Sequence, residues 1–143
     1  MKRGFECVSG YQVELPKRAT KNSAGYDFCT IDTIKINPGE IVLVKTGIKA
    51  YMLNDEVLKI FPRSSLALKK LTLPNNVGII DSDYYNNSKN EGHIFIPLYN
   101  FSDEAIIINQ GEKIAQGIFE KYLIIDNEEE IANERQGGFG STN

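Results

Sequence analysis

Short β-forming segments separated by closely spaced turn signals are the feature that most restricts the fold of this 143-residue chain. Turn sequences such as Asn37–Gly39 divide stretches that are rich in Ile, Val, Tyr and Phe, and such stretches have the length and composition of strands. This pattern is typical of a β-sandwich or β-barrel. The predicted strands are Ile41–Val44, Val57–Phe61, His93–Tyr99 and Ala105–Ile108.

A single segment, Ser64–Lys70, has a helical pattern, with a serine cap ahead of good helix formers. Two other stretches, Ile34–Glu40 and Ile106–Glu112, share the form I-x-I-N-x-G-E. Each places a tight turn after a short strand, so together they predict a duplicated hairpin between antiparallel strands.

The chain length predicts one domain over residues 1–143, since domains of about 100 to 150 residues are the commonest. Hydrophobic residues make up 41% and charged residues 24%, which is ordinary globular usage. The formal net charge of -3 argues against a protein whose main role is to grip nucleic acid. The two cysteines, Cys7 and Cys29, are too few for a disulfide framework and are interpreted as buried thiols.

No apolar run approaches the roughly 20 residues that a membrane-spanning helix needs, so no contact with a membrane is predicted. The charged N-terminus Met1–Glu6 is not followed by an apolar stretch, as a secretory signal would be. We therefore expect a cytoplasmic protein.

Three segments carry polar side chains that could act in chemistry. Arg63, Ser64 and Ser65 stand where a predicted strand gives way to the helix, a composition that suits a phosphate site but equally an ordinary serine cap. Asp81 and Asp83 follow a buried strand and share a face if the strand continues. They could hold a metal or activate a water, or they could simply stabilise a turn.

Further candidates are individually ordinary. Asp27 follows a tight turn, and Gln116 is a polar residue within an apolar strand. The lone histidine, His93, leaves no Ser-His-Asp triad and no histidine-based zinc site, so we interpret it as structural. The glycine-rich residues 134–143 predict a flexible lid in which Phe139 covers a planar base, although a frayed terminus has the same composition.

Five of these segments, in sequence order, resemble the five motifs of the trimeric dUTP diphosphatases (dUTPases). The resemblance covers nearly the whole chain. The matching segments are Ala24–Phe28, Pro62–Leu66, Asn75–Tyr84, Gly111–Gln116 and Gly137–Thr142.

This resemblance implies a jelly-roll-like β-clip fold with one short helix, a homotrimer, and active sites shared between subunits. It implies hydrolysis of dUTP to dUMP and pyrophosphate with Mg²⁺, by attack of water on the α-phosphorus. Such an activity keeps uracil out of DNA and supplies dUMP for thymidylate synthesis. The tail of one subunit would close over a site of its neighbour.

Residue roles follow from the matching motifs. Asp81 resembles the carboxylate that deprotonates the attacking water, and Tyr84 resembles the aromatic residue that leaves no room for a ribose 2′-hydroxyl. Asp27 resembles the carboxylate that contacts Mg²⁺ through water. The positions that resemble uracil-reading residues are Asn75, Gly78, Ile79, Ile80 and Phe95.

The remaining matches concern the phosphates and the lid. Phe139 resembles the ring that stacks on uracil, and Arg135, Ser141 and Thr142 resemble groups near the γ-phosphate. The other phosphate-contacting positions are Arg63, Ser64, Ser65 and Gln116.

Three features depart from the family pattern. Residues Tyr85–Glu91 separate Tyr84 from the glycine that usually follows it closely, and we interpret this inserted loop as a hairpin tip. Arg135 is one residue nearer to Phe139 than usual, and Lys113 replaces a common arginine.

Two alternatives stay open. One is a dUTPase-fold module that senses nucleotides or binds a protein through the inserted loop. The other is a dCTP deaminase, which shares the fold and an arginine-serine-serine motif but requires a suitably placed glutamate.

Overall fold

The computed structural model describes residues 1–133 and 135–138. These residues form short strands, one α-helix and one 3₁₀ turn over Ser82–Tyr84. The elements are β1 (Gly4–Cys7), β2 (Lys17–Arg18), β3 (Tyr26–Cys29), β4 (Ile34–Ile36), β5 (Ile41–Lys45), β6 (Ile48–Tyr51), β7 (Glu56–Pro62), α1 (Ser64–Leu68), β8 (Leu71–Thr72), β9 (Gly78–Asp81), β10 (Phe95–Asn100), β11 (Ile106–Ile108) and β12 (Lys113–Lys121).

The strands pair antiparallel in four sheets. The largest has the order β2-β3-β12-β7-β9, a second has the order β5-β10-β8, and the pairs β1-β6 and β4-β11 complete the set among the described residues. Their apolar faces enclose one core, to which Phe28, Leu58, Ile96 and Ile114 belong with at most 1% of each residue exposed. This arrangement confirms the prediction of an all-β fold with one short helix.

Strand β10 shows why the sequence folds this way. Its residues alternate between buried and half-buried positions, as expected when successive side chains point to opposite faces of a sheet. Asn100 is fully buried at the end of the strand, where its side-chain amide donates to the carbonyl oxygens of Ile36 and Glu104, both at 2.8 Å. A buried amide with these partners carries little desolvation cost and links two sheets.

The two I-x-I-N-x-G-E stretches pair with each other. Ile106 lies opposite Ile36 and Ile108 opposite Ile34, which makes the β4-β11 sheet. In both copies the glutamate side chain accepts from the backbone N–H of the asparagine three residues before it, at 2.9 Å for Glu40 and 3.1 Å for Glu112. The predicted tight turns are therefore confirmed.

The strands on either side of each turn, however, are not a hairpin pair. Strand β5 pairs with β10, and β12 pairs with β3 and β7. The prediction of a duplicated hairpin is wrong on this point, because each turn carries the chain from one sheet into another.

The predicted strands and helix are found with small shifts of their ends. The helix is shorter than Ser64–Lys70, and its N-cap residue is Arg63, whose side chain makes no capping hydrogen bond. The serine-cap interpretation is therefore wrong. The inserted loop Tyr85–Glu91 is not a hairpin tip either, because β9 and β10 lie in different sheets.

No helix in the described part of the chain is long and apolar enough to cross a membrane.

Candidate active site

A pocket of about 210 Å³ opens between β9, the 3₁₀ turn, the first half of β10 and residues 135–138. We call it the Asp81 pocket. It collects eight of the residues that the sequence predicts for nucleotide binding or catalysis. Its lining includes Asn75, Gly78, Ile79, Ile80, Asp81, Tyr84, Phe95 and Arg135, together with Ile60, Leu73, Ile96, Pro97 and Gly138.

Strand β9 forms one wall of the Asp81 pocket. It is the last strand of its sheet and pairs with β7, with Gly78 opposite Ile60 and Asp81 opposite Val57. Every second residue of such an edge strand directs its backbone N–H and C=O groups away from the sheet. This wall can therefore offer backbone hydrogen bonds to the edge of a planar base. Gly78 has no side chain and that of Ile79 is apolar, so neither can make such bonds through its side chain.

Asp81 and Asp83 are brought together by Arg135. The guanidinium Nη2 of Arg135 lies 2.5 Å from Oδ2 of Asp81, and its Nε lies 2.7 Å from Oδ1 of Asp83. A third nitrogen, Nη1, donates to the carbonyl oxygen of Gly137 at 2.9 Å. The arginine therefore holds the tail on the carboxylates of the pocket and offsets half of their negative charge.

Tyr84 forms the opposite wall, and 5% of its surface is exposed. Its hydroxyl donates to the carbonyl oxygen of His93 at 2.5 Å and accepts from the side-chain amide of Asn90 at 2.9 Å. Burial raises the pKa of the Tyr84 hydroxyl, so that it stays protonated and donates at neutral pH. Both partners hold the ring at a fixed place in the wall.

The tail residues that the structure describes lie on the pocket of their own chain. A Cβ atom added to Gly138 would stand 2.9 Å from Cε1 of Tyr84, so the backbone approaches the ring as closely as a glycine allows. The predicted site residues Phe139, Ser141 and Thr142 lie outside the described residues. Closure of the tail over a neighbouring subunit stays a prediction.

A second group of predicted residues lies around Asp27. Gln116 of β12 stands between Asp27 of β3 and Phe61 of β7, directly opposite both. Arg63 lies two residues beyond Phe61, and its Nε is 3.1 Å from Oδ1 of Asp27. On the other side, the Nζ atom of Lys113 is 3.3 Å from Oδ2 of Asp27.

We call this group the Asp27 cluster. One carboxylate, with 8% of its side chain exposed, meets two cations that are 30% and 44% exposed. The excess of positive charge suits a phosphate group that approaches from solvent. Lys113 contributes to this charge although its sequence position indicated only a departure from arginine.

The other phosphate-contacting candidates lie beside the Asp27 cluster. Ser64 and Ser65 are exposed at the start of α1, and neither hydroxyl has a hydrogen-bond partner among the described residues. The Gln116 amide donates to the carbonyl oxygen of Pro62 at 3.4 Å. A Cβ atom on Gly25 would stand 2.4 Å from Oε1 of Gln116, so a side chain there would force the Gln116 amide to move.

Asp81 and the Asp27 cluster lie toward opposite ends of β7, while the Asp81 pocket extends along this strand as far as Ile60. Asp81 is opposite Val57 near the start of this strand, whereas Arg63 follows its last residue, Pro62. Six residues of extended chain separate Val57 from Arg63, which corresponds to about 20 Å.

A larger cavity of about 480 Å³ borders the Asp27 cluster and includes Asp27, Lys113 and Cys29 in its lining. Burial raises the pKa of the Cys29 thiol, which keeps it protonated and poorly reactive. Both cysteines are free thiols.

The described residues contain no group of three or more His, Cys, Asp or Glu side chains that could hold a metal ion. Magnesium does not need such a group, because it keeps several waters and takes substrate phosphates as ligands. Asp27 already has both oxygens engaged by cations, so it fits a contact with hydrated magnesium better than direct ligation.

Sequence reasoning missed Lys113 as a member of the Asp27 cluster and Asn90 as a partner of Tyr84. The Asn-rich composition of Tyr85–Glu91 was visible, but side-chain amides at these positions are equally typical of an exposed turn. Contact between Asn90 and Tyr84 depends on how the inserted loop folds back, and no local pattern reveals that.

Comparisons with known proteins agree on one family. The sequence model of the family described as dUTPase matches residues 11–143. A deoxyuridine 5'-triphosphate nucleotidohydrolase from Lactococcus lactis is 50% identical over 145 residues, covering 98% of this chain and 97% of the relative. Another from Hydrogenobaculum is 44% identical over 134 residues, covering 90% of this chain and 89% of the relative.

Solved structures show the same similarity. A crystal structure of dUTPase from Streptococcus mutans is 49% identical, with a TM-score of 0.84, and the match covers 87% of this chain and 99% of that chain. A dUTPase of Staphylococcus bacteriophage 80alpha is 20% identical, with a TM-score of 0.73 and coverage of 94% and 99%. The latter likeness concerns the fold alone.

Proposed function

Because the chain belongs to the dUTPase family, we propose that it hydrolyses dUTP to dUMP and pyrophosphate. The observation that carries this proposal is the Asp81 pocket, which joins a carboxylate, a backbone edge and a fixed aromatic wall in one chain. Such a pocket suits a nucleotide whose base is read by backbone groups and whose sugar lacks a 2′-hydroxyl.

Asp81 is the proposed general base. Its carboxylate stands at the end of β9, on the wall of the pocket, and it is about half exposed, which leaves room for a water beside it. The carboxylate orients this water and takes its proton as the water oxygen bonds to the α-phosphorus. The bond from the α-phosphorus to the bridging oxygen breaks, and pyrophosphate leaves.

Arg135 changes partner in this scheme. In the free chain its guanidinium balances Asp81 and Asp83. When a triphosphate binds, its charge competes for the same guanidinium, because arginine pairs well with phosphate oxygens. Release of Asp81 then frees the carboxylate to accept a proton, while Arg135 contacts the phosphates.

Base selection rests on the two walls of the pocket. We assign the backbone groups of β9 and the side chain of Asn75, which line the pocket, to hydrogen bonds with the polar edge of uracil. Gly78, Ile79, Ile80 and Phe95 line this part of the pocket, and in the proposal they leave no room for the methyl group of thymine. Phe139 of the lid stacks on the exposed face of uracil, and Ser141 and Thr142 contact the γ-phosphate.

The remaining phosphate contacts come from the Asp27 cluster of another copy of the chain. Arg63 lies about 20 Å along β7 from the residue opposite Asp81, so we assign the phosphate contacts of Arg63, Ser64, Ser65 and Gln116 to a site whose Asp81 belongs to another subunit. A homotrimer with three shared sites joins the pocket of one subunit to the cluster of the next. This assembly is part of the proposal.

Magnesium is the proposed cofactor. It supplies charge neutralisation on the triphosphate when bound, and Asp27 would hold it through water. Asp27 is kept in place for this role by Arg63 and Lys113.

The proposal is tested by pyrophosphate release from the purified protein with Mg²⁺, with dUTP compared against UTP, dTTP and dCTP and each nucleotide product identified. We expect dUMP and pyrophosphate from dUTP, and little product from the other three. Conversion of dCTP to a uracil nucleotide would show a deaminase instead, and tight binding of dUTP without turnover would show a nucleotide sensor.

A further inference from the structure

The inserted loop Tyr85–Glu91 packs behind the pocket and holds the side chain of Tyr84. The Nδ2 atom of Asn90 donates to the Tyr84 hydroxyl at 2.9 Å, while that hydroxyl donates to the carbonyl oxygen of His93 at 2.5 Å. The phenol oxygen therefore has both a donor and an acceptor, one of them from the inserted loop. These two bonds fix where the ring stands in the pocket wall.

The same loop also holds the backbone of Tyr84. The Nδ2 atom of Asn87 lies 2.7 Å from the carbonyl oxygen of Tyr84 and 2.7 Å from Oδ1 of Asn90. Only 8% of Asn87 is exposed, so these bonds are shielded from competing water. Both ends of Tyr84 are thus attached to one pair of asparagines.

The loop has firm anchors of its own. The Nζ atom of Lys49 on β6 lies 2.7 Å from Oδ1 of Asn86 and 2.7 Å from Oε2 of Glu91. Bonds from Lys49 and from the backbone N–H of Ser9 lower the pKa of the Glu91 carboxyl to about 2, so Glu91 stays charged at any working pH. The inserted loop is therefore braced against β6 and the N-terminal segment.

The close of the loop requires glycine. Gly92 has a φ of +90°, and a Cβ atom there would stand 2.9 Å from the carbonyl oxygen of Tyr84. A side chain at this position would push the loop away from Tyr84, which agrees with a close fit between the two.

We propose that Asn90 is a positioning residue that sets the discrimination between deoxyribose and ribose by fixing the Tyr84 ring. This inference rests on the proposed function, because it takes the sugar to lie against Tyr84. Rejection of the ribose 2′-hydroxyl by steric contact requires that the Tyr84 ring cannot move away by even a fraction of an ångström. Asn90 supplies that stiffness without touching the substrate.

The principal test is Asn90→Asp, which keeps the size of the side chain and removes the donor to Tyr84. A carboxylate oxygen can still accept from the backbone N–H of Gly92, as Oδ1 of Asn90 does at 3.1 Å. We expect the ratio of kcat/KM for dUTP over UTP to fall about fivefold to tenfold, the equivalent of one lost hydrogen bond. The change should appear as a lower KM for UTP, whereas general damage would lower kcat for both substrates alike.

A double-mutant cycle separates the proposed route from others. Tyr84→Phe removes the hydroxyl that Asn90 holds, so it should reduce selectivity by itself, and adding Asn90→Asp should then change nothing further. Ser88→Ala is the matched control, since this serine is exposed in the same loop and has no side-chain hydrogen bond among the described residues. Its selectivity should equal that of the parent.

Three results would overturn the inference. They are full selectivity in a folded Asn90→Asp protein, an additive effect of Asn90→Asp in the Tyr84→Phe background, and full selectivity in Tyr84→Phe. Thermal unfolding shows whether Asn90→Asp is folded. If it is not, the selectivity of Tyr84→Phe still tests the inference.

Binding measurements keep this test apart from the test of hydrolysis. The affinities of the α,β-imido analogues of dUTP and UTP, which resist cleavage at the α-phosphorus, report discrimination without turnover. The parent protein could fail to hydrolyse dUTP and still bind the dUTP analogue more tightly than the UTP analogue. If Asn90→Asp then lowers this ratio of affinities, the proposed function is refuted and this inference is supported. A parent protein that binds both analogues equally would refute the inference alone.

Discussion

The Asp81 pocket and the Asp27 cluster are built in contrasting ways. The pocket is enclosed by two sheets, a 3₁₀ turn and the tail, and its principal wall, Tyr84, is buried with both its hydroxyl and its carbonyl oxygen hydrogen-bonded. The cluster is open, with half-exposed cations and serine hydroxyls that have no partner among the described residues. The described walls of the pocket come from one chain, whereas the cluster exposes its cations and hydroxyl groups to solvent.

This difference follows from what each part has to recognise. Selecting a base and a sugar requires rigid contacts of fixed shape, which a packed core provides. Holding phosphates requires charge and donors that can adapt, and these can be offered at a surface between subunits. If the sites are shared as proposed, assembly is a condition of activity.

The largest expected effect comes from the pocket. Asp81→Asn removes the proposed base but keeps its shape, so hydrolysis of dUTP should fall by about 10²–10⁴-fold while binding of dUTP persists. Single-turnover kinetics and calorimetry measure the two separately.

Asp83→Asn is the matched control, because Asp83 binds the same guanidinium and the change of charge is identical. It should cost much less activity. Near-native turnover by Asp81→Asn would remove Asp81 from the role of base.

The Asp27 cluster is tested next by complementation. Arg63→Ala removes a hydrogen-bond donor to the phosphates and should lower kcat/KM by about 10²–10³-fold. Asp81→Asn loses activity for a different reason, because it lacks the proposed general base. If sites are shared, mixed trimers regain sites with an intact pocket from one chain and an intact cluster from another. Random mixing in equal amounts restores about a quarter of the sites.

The assay is dUTP turnover by the two variants, unfolded and refolded together or separately. Arg63→Ala mixed with the wild-type protein serves as the upper reference. No recovery on mixing, with trimers demonstrably exchanged, would mean that each site lies within one chain.

The tail is expected to have an intermediate effect. A chain that ends at Arg135 keeps the ion pairs to Asp81 and Asp83 but loses the segment from Gln136 onward, which packs on Tyr84 through Gly138. Activity should fall about tenfold to a hundredfold because the bound nucleotide is left open to water. The trimer and its melting temperature should be unchanged.

Sedimentation and thermal unfolding check the second part of this prediction. If the truncated chain instead dissociates to monomers, the tail is part of the assembly, and the lid hypothesis is wrong.

The smallest effect concerns His93, which connects the pocket to the core. Its Nε2 accepts from the backbone N–H of Gly47 at 2.9 Å, so the ring is neutral, and burial lowers its pKa. A histidine with a lowered pKa contributes stability above about pH 6.5, and this is lost as pH falls through the pKa of the folded state. The melting temperature should therefore drop by a few degrees between about pH 6.5 and pH 5.

His93→Gln keeps an acceptor for Gly47 and cannot titrate, so its melting temperature should change less over that range. An equal decline in both proteins would assign the pH dependence to other groups. Since the carbonyl oxygen of His93 holds Tyr84, the selectivity for dUTP over UTP should weaken along with stability in the parent.

Local sequence patterns were sufficient for the four named strands and for the two repeated turns, but they did not predict short strands such as β1, β2, β6 and β8. The I-x-I-N-x-G-E stretches encode their turns through a glutamate that bonds a backbone N–H three residues away. Such interactions lie within a few residues, so composition and spacing reveal them. Resemblance of the motifs likewise identified eight residues that line one pocket.

Long-range placement was beyond those patterns. The two turn repeats pair with each other across some 70 residues instead of forming two hairpins, and the inserted loop folds inward. Asparagine side chains in a loop can hydrogen-bond either to water or to neighbouring protein groups. Which of the two occurs depends on the surrounding fold and not on the loop sequence.

By itself, the sequence determined the family, the all-β class and the motifs that carry chemistry, because each depends on residue type and short-range order. Only the tertiary structure decided that Arg135 meets Asp81, that Lys113 joins Asp27, and that Asp81 and Arg63 stand toward opposite ends of β7. These facts depend on which strands pair and in what register, and pairing is settled by burial of the whole core rather than by any segment alone.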